Sequence, residues 1–282
     1  MENYSLKINQ EFIPLIKNFY RLYLLSPENE YQAFRVKKGR ITITVYYSGS
    51  VVISGKELLE TIMEVESLCK INNYPAIGSD EAGTGDIFGP ITVCACYLDA
   101  KNIFDMRAAS ITDSKKLSDA KIKEIAEMFI PEVKYSLLVL DNKKFNEISD
   151  KHNLNAIKAL LHNQAILKLK EKISDHNDKI PVIVDQFCEP DKYFSYLKQE
   201  QKVYRNIDFK TKAETYHKSV AMASIIARYI FVERLSEAGK KIGITLPKGA
   251  NNNVKKLAEE LKRTLSPEKY LAVLKNNYRT EL

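Results

Sequence analysis

Ala76-Ile77-Gly78-Ser79-Asp80-Glu81-Ala82-Gly83-Thr84-Gly85-Asp86-Ile87-Phe88-Gly89-Pro90, running on into the apolar Ile91 to Leu98, is the stretch from which the rest of the chain can be read. Ala76 to Ser79 and Ile91 to Leu98 have the composition of strands, and the turn-forming residues between them predict a hairpin. Five of the thirteen residues from Gly78 to Pro90 are glycine or proline, so the backbone there can turn sharply and lie close to a ligand. No Lys-Ser/Thr pair follows the last glycine, which excludes a phosphate-binding P-loop. The glycine spacing at 83, 85 and 89, with no helical pattern after it, also disfavours a dinucleotide fingerprint. What remains is a pair of carboxylates, Asp80 and Glu81, beside a glycine-rich surface. Taken alone, that is better read as a surface hairpin with solvated acids.

Downstream residues change the weighing. Asp185 follows Pro181-Val182-Ile183-Val184, a run apolar on both faces as in an interior strand. A carboxylate at the end of such a strand is costly to bury unless paired or metal-bound. Glu214 stands directly before a long apolar helical pattern beginning near Tyr216, where a helix dipole alone would favour it. Four carboxylates on strand ends and a helix start can hold hard divalent cations through oxygen. Such a site suits phosphodiester hydrolysis by two metal ions.

Outward from this centre the chain reads as two parts. Residues 1–70 predict a small α+β unit: a short strand at Ser5 to Ile8, a helix over Phe12 to Leu25, strands at Ala33 to Lys38, Ile41 to Tyr46 and Val51 to Ile53, and a helix from Lys56 to about Lys70. The polar, proline-containing Ile71 to Pro75 marks the boundary. Residues 71–282 then alternate strands (also Val133 to Leu140, Pro181 to Val184, Val203 to Phe209) with helices (116–129, 153–174, 216–235, 252–264, 267–276). That order predicts an α/β domain with a mixed sheet flanked by helices.

Composition is permissive. The 282 residues are 45% hydrophobic and 28% charged, enough for an ordinary core. The apolar runs are too short to span a bilayer, and the acidic, polar N-terminus lacks the layout of a signal peptide, so a cytoplasmic protein without membrane partners is expected. Cys69, Cys94, Cys96 and Cys188 have neither zinc nor disulfide spacing, and Cys94 and Cys96 read as buried small hydrophobes. A net charge of +7 is compatible with a polyanionic partner without requiring one.

Four segments, in order, are similar to those of the type 2 ribonuclease H family: Gly78 to Pro90, Thr112-Asp113-Ser114-Lys115-Lys116-Leu117, Val184-Asp185-Gln186-Phe187, and Lys212-Ala213-Glu214 followed by Ala223-Ser224-Ile225-Ile226-Ala227-Arg228. Within that group the chain most resembles the ribonuclease HIII branch. Gly83-Thr84-Gly85 stands where the HII branch carries a basic residue between glycines, the fourth acid is Glu214 rather than aspartate, and about 70 residues precede the catalytic part. The resemblance implies a ribonuclease H-like catalytic domain and a TATA-box-binding-protein-like N-terminal domain that binds substrate. It implies an endonuclease that cuts the RNA strand of RNA–DNA hybrids with two Mg²⁺ or Mn²⁺ ions, leaving 5′-phosphate and 3′-hydroxyl ends. Asp80, Glu81, Asp185 and Glu214 would be the catalytic metal ligands. Gly83, Thr84 and Gly85 would lie against the RNA strand, where 2′-hydroxyls distinguish it from DNA. No obligate protein partner is implied, and a monomer is the default. The competing readings are an HII-like cut at single embedded ribonucleotides and a hybrid-binding protein without catalysis.

Other residues carry two readings each. Ser114, Lys115 and Lys116 can grip a phosphate, or Asp113 or Ser114 can simply cap the following helix. His217 can serve proton transfer near Glu214 or merely pack. Lys158, Lys168, Lys170 and Lys172 read as the solvated face of the 153–174 helix, with hybrid binding as the minority reading. The basic run Arg35 to Arg40, next to Tyr46 and Tyr47, can hold a nucleic-acid backbone or be a solubilising hairpin. Asp86 is not expected to be a ligand.

Overall fold

The computed structural model describes residues 2–70, 74–108, 117–173, 180–215 and 217–276. It divides into two compact units, Met1–Tyr74 and Pro75–Leu282.

The first unit is built on a five-stranded antiparallel sheet in the order β1-β5-β4-β3-β2. Its strands are β1 (Glu2–Lys7), β2 (Leu24–Leu25), β3 (Gln32–Lys38), β4 (Ile41–Tyr46) and β5 (Ser50–Gly55), with helices α1 (Ile13–Phe19) and α2 (Leu59–Leu68). Phe34 and Val36, Ile43 and Val45, and Val51 and Ile53 alternate along three neighbouring strands and are buried, as are Ile16, Tyr20, Ile62 and Val65. The helix expected over Phe12 to Leu25 is shorter than its periodicity suggested. It stops at Phe19, a 3₁₀ turn follows at Arg21–Tyr23, and Leu24–Leu25 leaves as an edge strand. Leu22 is exposed.

The second unit has a mixed sheet in the order β10-β9-β6-β7-β8. Its strands are β6 (Ala76–Ala82), β7 (Ile91–Leu98), β8 (Lys134–Leu140), β9 (Val182–Asp185) and β10 (Ile207–Lys210). The β6–β7–β8 meander is antiparallel, and β9 and β10 add in parallel beside β6. The helices are α3 (Ala100–Ala108), α4 (Asp119–Phe129), α5 (Asn142–Ser149), α6 (Leu154–Ile173), α7 (Pro190–Tyr196), α8 (Lys218–Ile242), α9 (Asn252–Thr264) and α10 (Pro267–Val273). Ser266 caps α10 by accepting from the Lys269 N–H, with Pro267 in the first turn. The short α3, α5 and α7 were not foreseen. α4 is capped by Ser118, whose hydroxyl accepts from the Lys121 N–H; Asp113 and Ser114, expected as caps, lie outside the described residues. No helix among the described residues is long and apolar enough to cross a membrane.

The two faces of this sheet carry different helices. α6 covers one, where Ile157, Ile166 and Leu169 pack with Ile77, Val182 and Val184. α8 covers the other, and its first turn lies so close that a Cβ on Gly78 would fall 2.1 Å from the Val220 nitrogen. Only glycine permits that approach. Ile183, Ala76, Ala213 and Val220 form the core on this side. β6, the central strand, therefore sends alternate side chains toward two different environments.

Candidate active site

β6 runs through Ala82, so Asp80 and Glu81 lie inside the strand rather than beyond its end. Adjacent strand residues face opposite ways, and the two acids are separated accordingly.

Asp80 points to the α8 face and is buried. The parallel register Gly78 with Ile183 and Ser79 with Val184, carried one step on, sets Asp80 beside Asp185. Burial first, then the negative charges of Glu81 and Asp185, push the Asp80 carboxyl well above its usual range. Hydrogen bonds from Ser224 and from the Glu81 N–H, the latter at 2.7 Å, oppose that rise. Asp185 Oδ1 accepts from the Ala213 N–H at 2.8 Å, which ties the end of β9 to the 3₁₀ turn Ala213–Thr215. Glu214 sits buried in that turn. The α8 face thus gathers Asp80, Asp185 and the turn that bears Glu214.

Glu81 points to the α6 face, where both of its oxygens are engaged. Lys158 Nζ lies 2.5 Å from Oε1, and His162 Nε2 lies 2.9 Å from Oε2. The other ring nitrogen of His162 is 2.8 Å from Ser79 Oγ. Burial alone would raise the Glu81 carboxyl, but His162 and Lys158 together hold it at about 2. Lys158 is 7% exposed and His162 fully buried. Phe187 backs both, with its ring 4.0 Å from Lys158 Nζ and stacked on His162 at 5.3 Å. The expectation of a solvated face at Lys158 is therefore corrected. Leu154, Ile157, Lys158, Leu161, His162 and Ala165 share one helical stripe, and a lysine and a histidine in an apolar stripe need a buried acid. That spacing was the signal for these two residues.

The glycine-rich loop has a fixed inner side and an open outer one. Ile87 and Phe88 are buried against Phe231, Leu235 and Leu274. Gly89 N–H donates to Val273 O at 3.1 Å, and Lys275 N–H to Ile87 O at 3.0 Å. The buried Lys275 Nζ donates to Asp86 O at 2.9 Å. Asp86 Oδ1 accepts from the Gly249 N–H at 2.6 Å, so this fifth acid is a structural anchor. Gly83 has φ +86°, and a Cβ there would meet Pro90 O at 2.2 Å. Gly85 is exposed with nothing within 4 Å of a Cβ, and Thr84 beside it is half-buried.

Ser114, Lys115 and Lys116 lie outside the described residues. His217 precedes α8, is half-buried, and has its pKa lowered by burial. Its Nδ1 is buried without a hydrogen-bond partner among the described residues. In the first unit the basic run is partly consumed internally, Arg35 by Glu28 at 2.5 Å and Lys38 by Glu64 at 3.1 Å. All four cysteines are free, and Cys94 and Cys96 are buried as expected.

Known proteins resemble this chain over most of its length. The family described as Ribonuclease HII matches residues 77–280, and a domain family of unknown function matches residues 3–61. Ribonuclease HIII of Phytoplasma mali (strain AT) is 42% identical over 259 residues, 91% of this chain and 89% of that protein. The chain belongs to the ribonuclease HIII family. Ribonuclease HIII of Bacillus anthracis is 39% identical over 287 residues, covering 94% of this chain and 92% of that one. Among solved structures, Bst-RNase HIII in complex with Mn²⁺ superposes with a TM-score of 0.71 at 33% identity, over 99% of this chain and 96% of that one. Aquifex aeolicus RNase H3 gives 0.60 at 26% identity, over 98% and 100%.

As a member of the ribonuclease HIII family the chain calls for a metal, and its residues fit one. The donors are carboxylate oxygens, and Asp80 is buried among like charges that a divalent cation would neutralise. Among the described residues, no three His, Cys, Asp or Glu side chains are already drawn together closely enough to hold an ion. The engagement of Glu81 on the opposite face is one physical reason.

Proposed function

We propose that this chain is a metal-dependent endoribonuclease that hydrolyses the RNA strand of RNA–DNA hybrids, leaving 5′-phosphate and 3′-hydroxyl ends. The observation that carries this reading is the position of Asp80, buried on the central strand beside Asp185 with no basic side chain among the groups that shift it. A carboxylate buried against like charges is costly, and a divalent cation removes the cost. Asp80, Asp185 and Glu214, joined by Glu81 once it is released from Lys158, would hold two Mg²⁺ or Mn²⁺ ions. When bound, the metal supplies activation of water and stabilisation of the leaving oxygen.

The chain's own residues position the substrate. The β6–β7 loop presents Thr84 and Gly85 outward on a base fixed by Ile87, Phe88 and the 273–275 segment. Backbone N–H groups on such a loop hydrogen-bond sugar and phosphate oxygens, and a 2′-hydroxyl there reports RNA. Ser114, Lys115 and Lys116 are proposed from the sequence alone as phosphate contacts. The first unit adds hybrid affinity through its basic run and the exposed Tyr47. The enzyme works as a monomer in the cytoplasm.

The test incubates the protein and its Asp185→Asn variant with a labelled RNA–DNA hybrid, in Mg²⁺, in Mn²⁺ and in chelator. RNA-strand cleavage that needs metal and is lost in the variant is expected. Binding of the hybrid without cleavage in any metal would overturn the reading. A duplex with a single embedded ribonucleotide, cut poorly, separates this activity from the HII-like one.

A further inference from the structure

Lys158 is a cation held against an acid of the candidate active site, and its setting is built rather than incidental. Its Nζ is 2.5 Å from Glu81 Oε1 and 4.0 Å from the Phe187 ring, on a side chain withdrawn from water. His162 takes the remaining Glu81 oxygen at 2.9 Å. Phe187 follows Asp185 by two residues, so the metal-bearing end of β9 and the lysine cage belong to one short segment. A metal ion that ligates Glu81 must share that carboxylate with the Lys158 ammonium, whose positive charge repels it. Two cations that need the same carboxylate oppose each other's binding, and by thermodynamic reciprocity each weakens the other equally.

We propose that Lys158 is the resident counter-ion of the metal-free site, competing with the divalent metal for Glu81 and so setting the metal affinity of the enzyme. On metal binding the Glu81 oxygen passes from the ammonium to the metal centre, and the ammonium stays in its pocket against the Phe187 ring. Lys158 is a positioning residue: it acts on the ion through Glu81. This rests on the proposed metal-dependent activity.

The test measures Mn²⁺ and Mg²⁺ binding to the full-length protein, without substrate, by calorimetry and by Mn²⁺ paramagnetic resonance. Lys158→Met keeps the stem and removes the charge, and should bind Mn²⁺ more tightly, by on the order of tenfold. Lys158→Arg keeps the charge and should restore affinity close to that of the unaltered protein, which a packing role alone would not do. Equal or weaker Mn²⁺ binding by Lys158→Met overturns the proposal while leaving the nuclease reading intact. No Mn²⁺ binding by the unaltered protein overturns both. Should Lys158→Met fail to fold, the unaltered protein decides. The Lys158 ammonium ¹⁵N–¹H resonance, assigned by its loss in Lys158→Arg, should shift on titration with Mg²⁺ and not with NaCl of equal ionic strength. A resonance unmoved at saturating Mg²⁺ overturns the proposal.

Discussion

Asp80 and Glu81 are covalent neighbours, yet the two sides of β6 treat them oppositely. Asp80, on the α8 side, is raised by burial and by the negative charges of Glu81 and Asp185. On the α6 side, His162 and Lys158 overcome the same burial and hold Glu81 at about 2. A strand alternates its side chains, so a single dipeptide delivers one acid short of positive charge and one already supplied with it. The lesson concerns metal sites at strand interiors: the acids in the ligand set need not be equivalent before the metal arrives. On the proposed function, the unneutralised acid attracts the ion, and the paired one is contested between the ion and Lys158.

The largest expected effect tests the attracting side. Asp80→Asn should lower hybrid cleavage by at least about 10³-fold, or ~4 kcal/mol of barrier. The same variant should be more stable than the unaltered protein in chelator at pH 8, because it removes a buried charge facing like charges. The sign follows from the raised carboxyl. Folding lifts it above its ordinary 3.8, so its stabilising contribution is complete below that value and is lost as pH rises through the folded one. Urea melts in chelator from pH 5 to 8 should show this decline in the unaltered protein and a flatter profile in Asp80→Asn. A variant less stable than its parent at pH 8 would break the contrast between the two faces.

Glu81→Gln should behave in the reverse sense. It leaves the Lys158 ammonium buried without a carboxylate, and should cost about 3 kcal/mol at neutral pH in chelator. The Glu81 carboxyl is lowered from 4.5 to about 2, so its contribution is present above the ordinary value and disappears as pH falls through about 2. The stability gap between Glu81→Gln and its parent should therefore close in acid. Two adjacent acid-to-amide changes with opposite stability signs form a sharp test, since an error in the facing of either residue reverses one of them.

How much of this could be read in advance differs between the two faces as well. Asp185 was legible because it ends a run apolar on both sides, and Glu214 because it precedes an apolar helix. The mixed sheet followed from the order of strands and helices. The opposed facing of Asp80 and Glu81 was missed because the glycine-rich sequence suggested that the strand ended at Ser79, whereas its pairing with β7 continues to Ala82 opposite Thr92. Lys158 was missed because charged residues on an amphipathic helix usually face water, and its partner lies 77 positions earlier in the chain. Periodicity reports which stripe a residue occupies. It does not report that a distant acid waits there.

A second buried lysine sharpens the comparison, because it lacks the acid that Lys158 has. Lys275 Nζ donates to the carbonyls of Asp86 and Phe88. Burial lowers it from 10.5 to about 7, with Asp86 opposing. Between those values the unfolded chain binds more protons than the folded one, so stability should rise with pH, by at most ~1.4 kcal/mol per unit. Below about 7 the penalty for the buried charge is present in full. Lys275→Met should flatten the slope between pH 7 and 9 in denaturant titrations. An identical slope in variant and parent would remove Lys275 as its source.

The smallest effect on stability is expected where the loop faces outward, and there the contrast lies between two glycines. Gly83 is demanded by the fold, since a Cβ there would fall 2.2 Å from Pro90 O and its φ is +86°. Gly85 is not, having open space around a Cβ and no left-handed backbone. A glycine that the chain itself does not need is accounted for, on the proposed function, by the close approach of the RNA strand from outside. Gly85→Ala should therefore change unfolding free energy by no more than about 0.5 kcal/mol. It should raise KM for an RNA–DNA hybrid by roughly fivefold, the equivalent of ~1 kcal/mol, with a smaller change in kcat. Gly83→Ala, made alongside, should lose stability first and activity only in consequence. If Gly85→Ala left KM unchanged, the RNA strand would not come close at this position, and the loop's part in recognition would rest on Thr84.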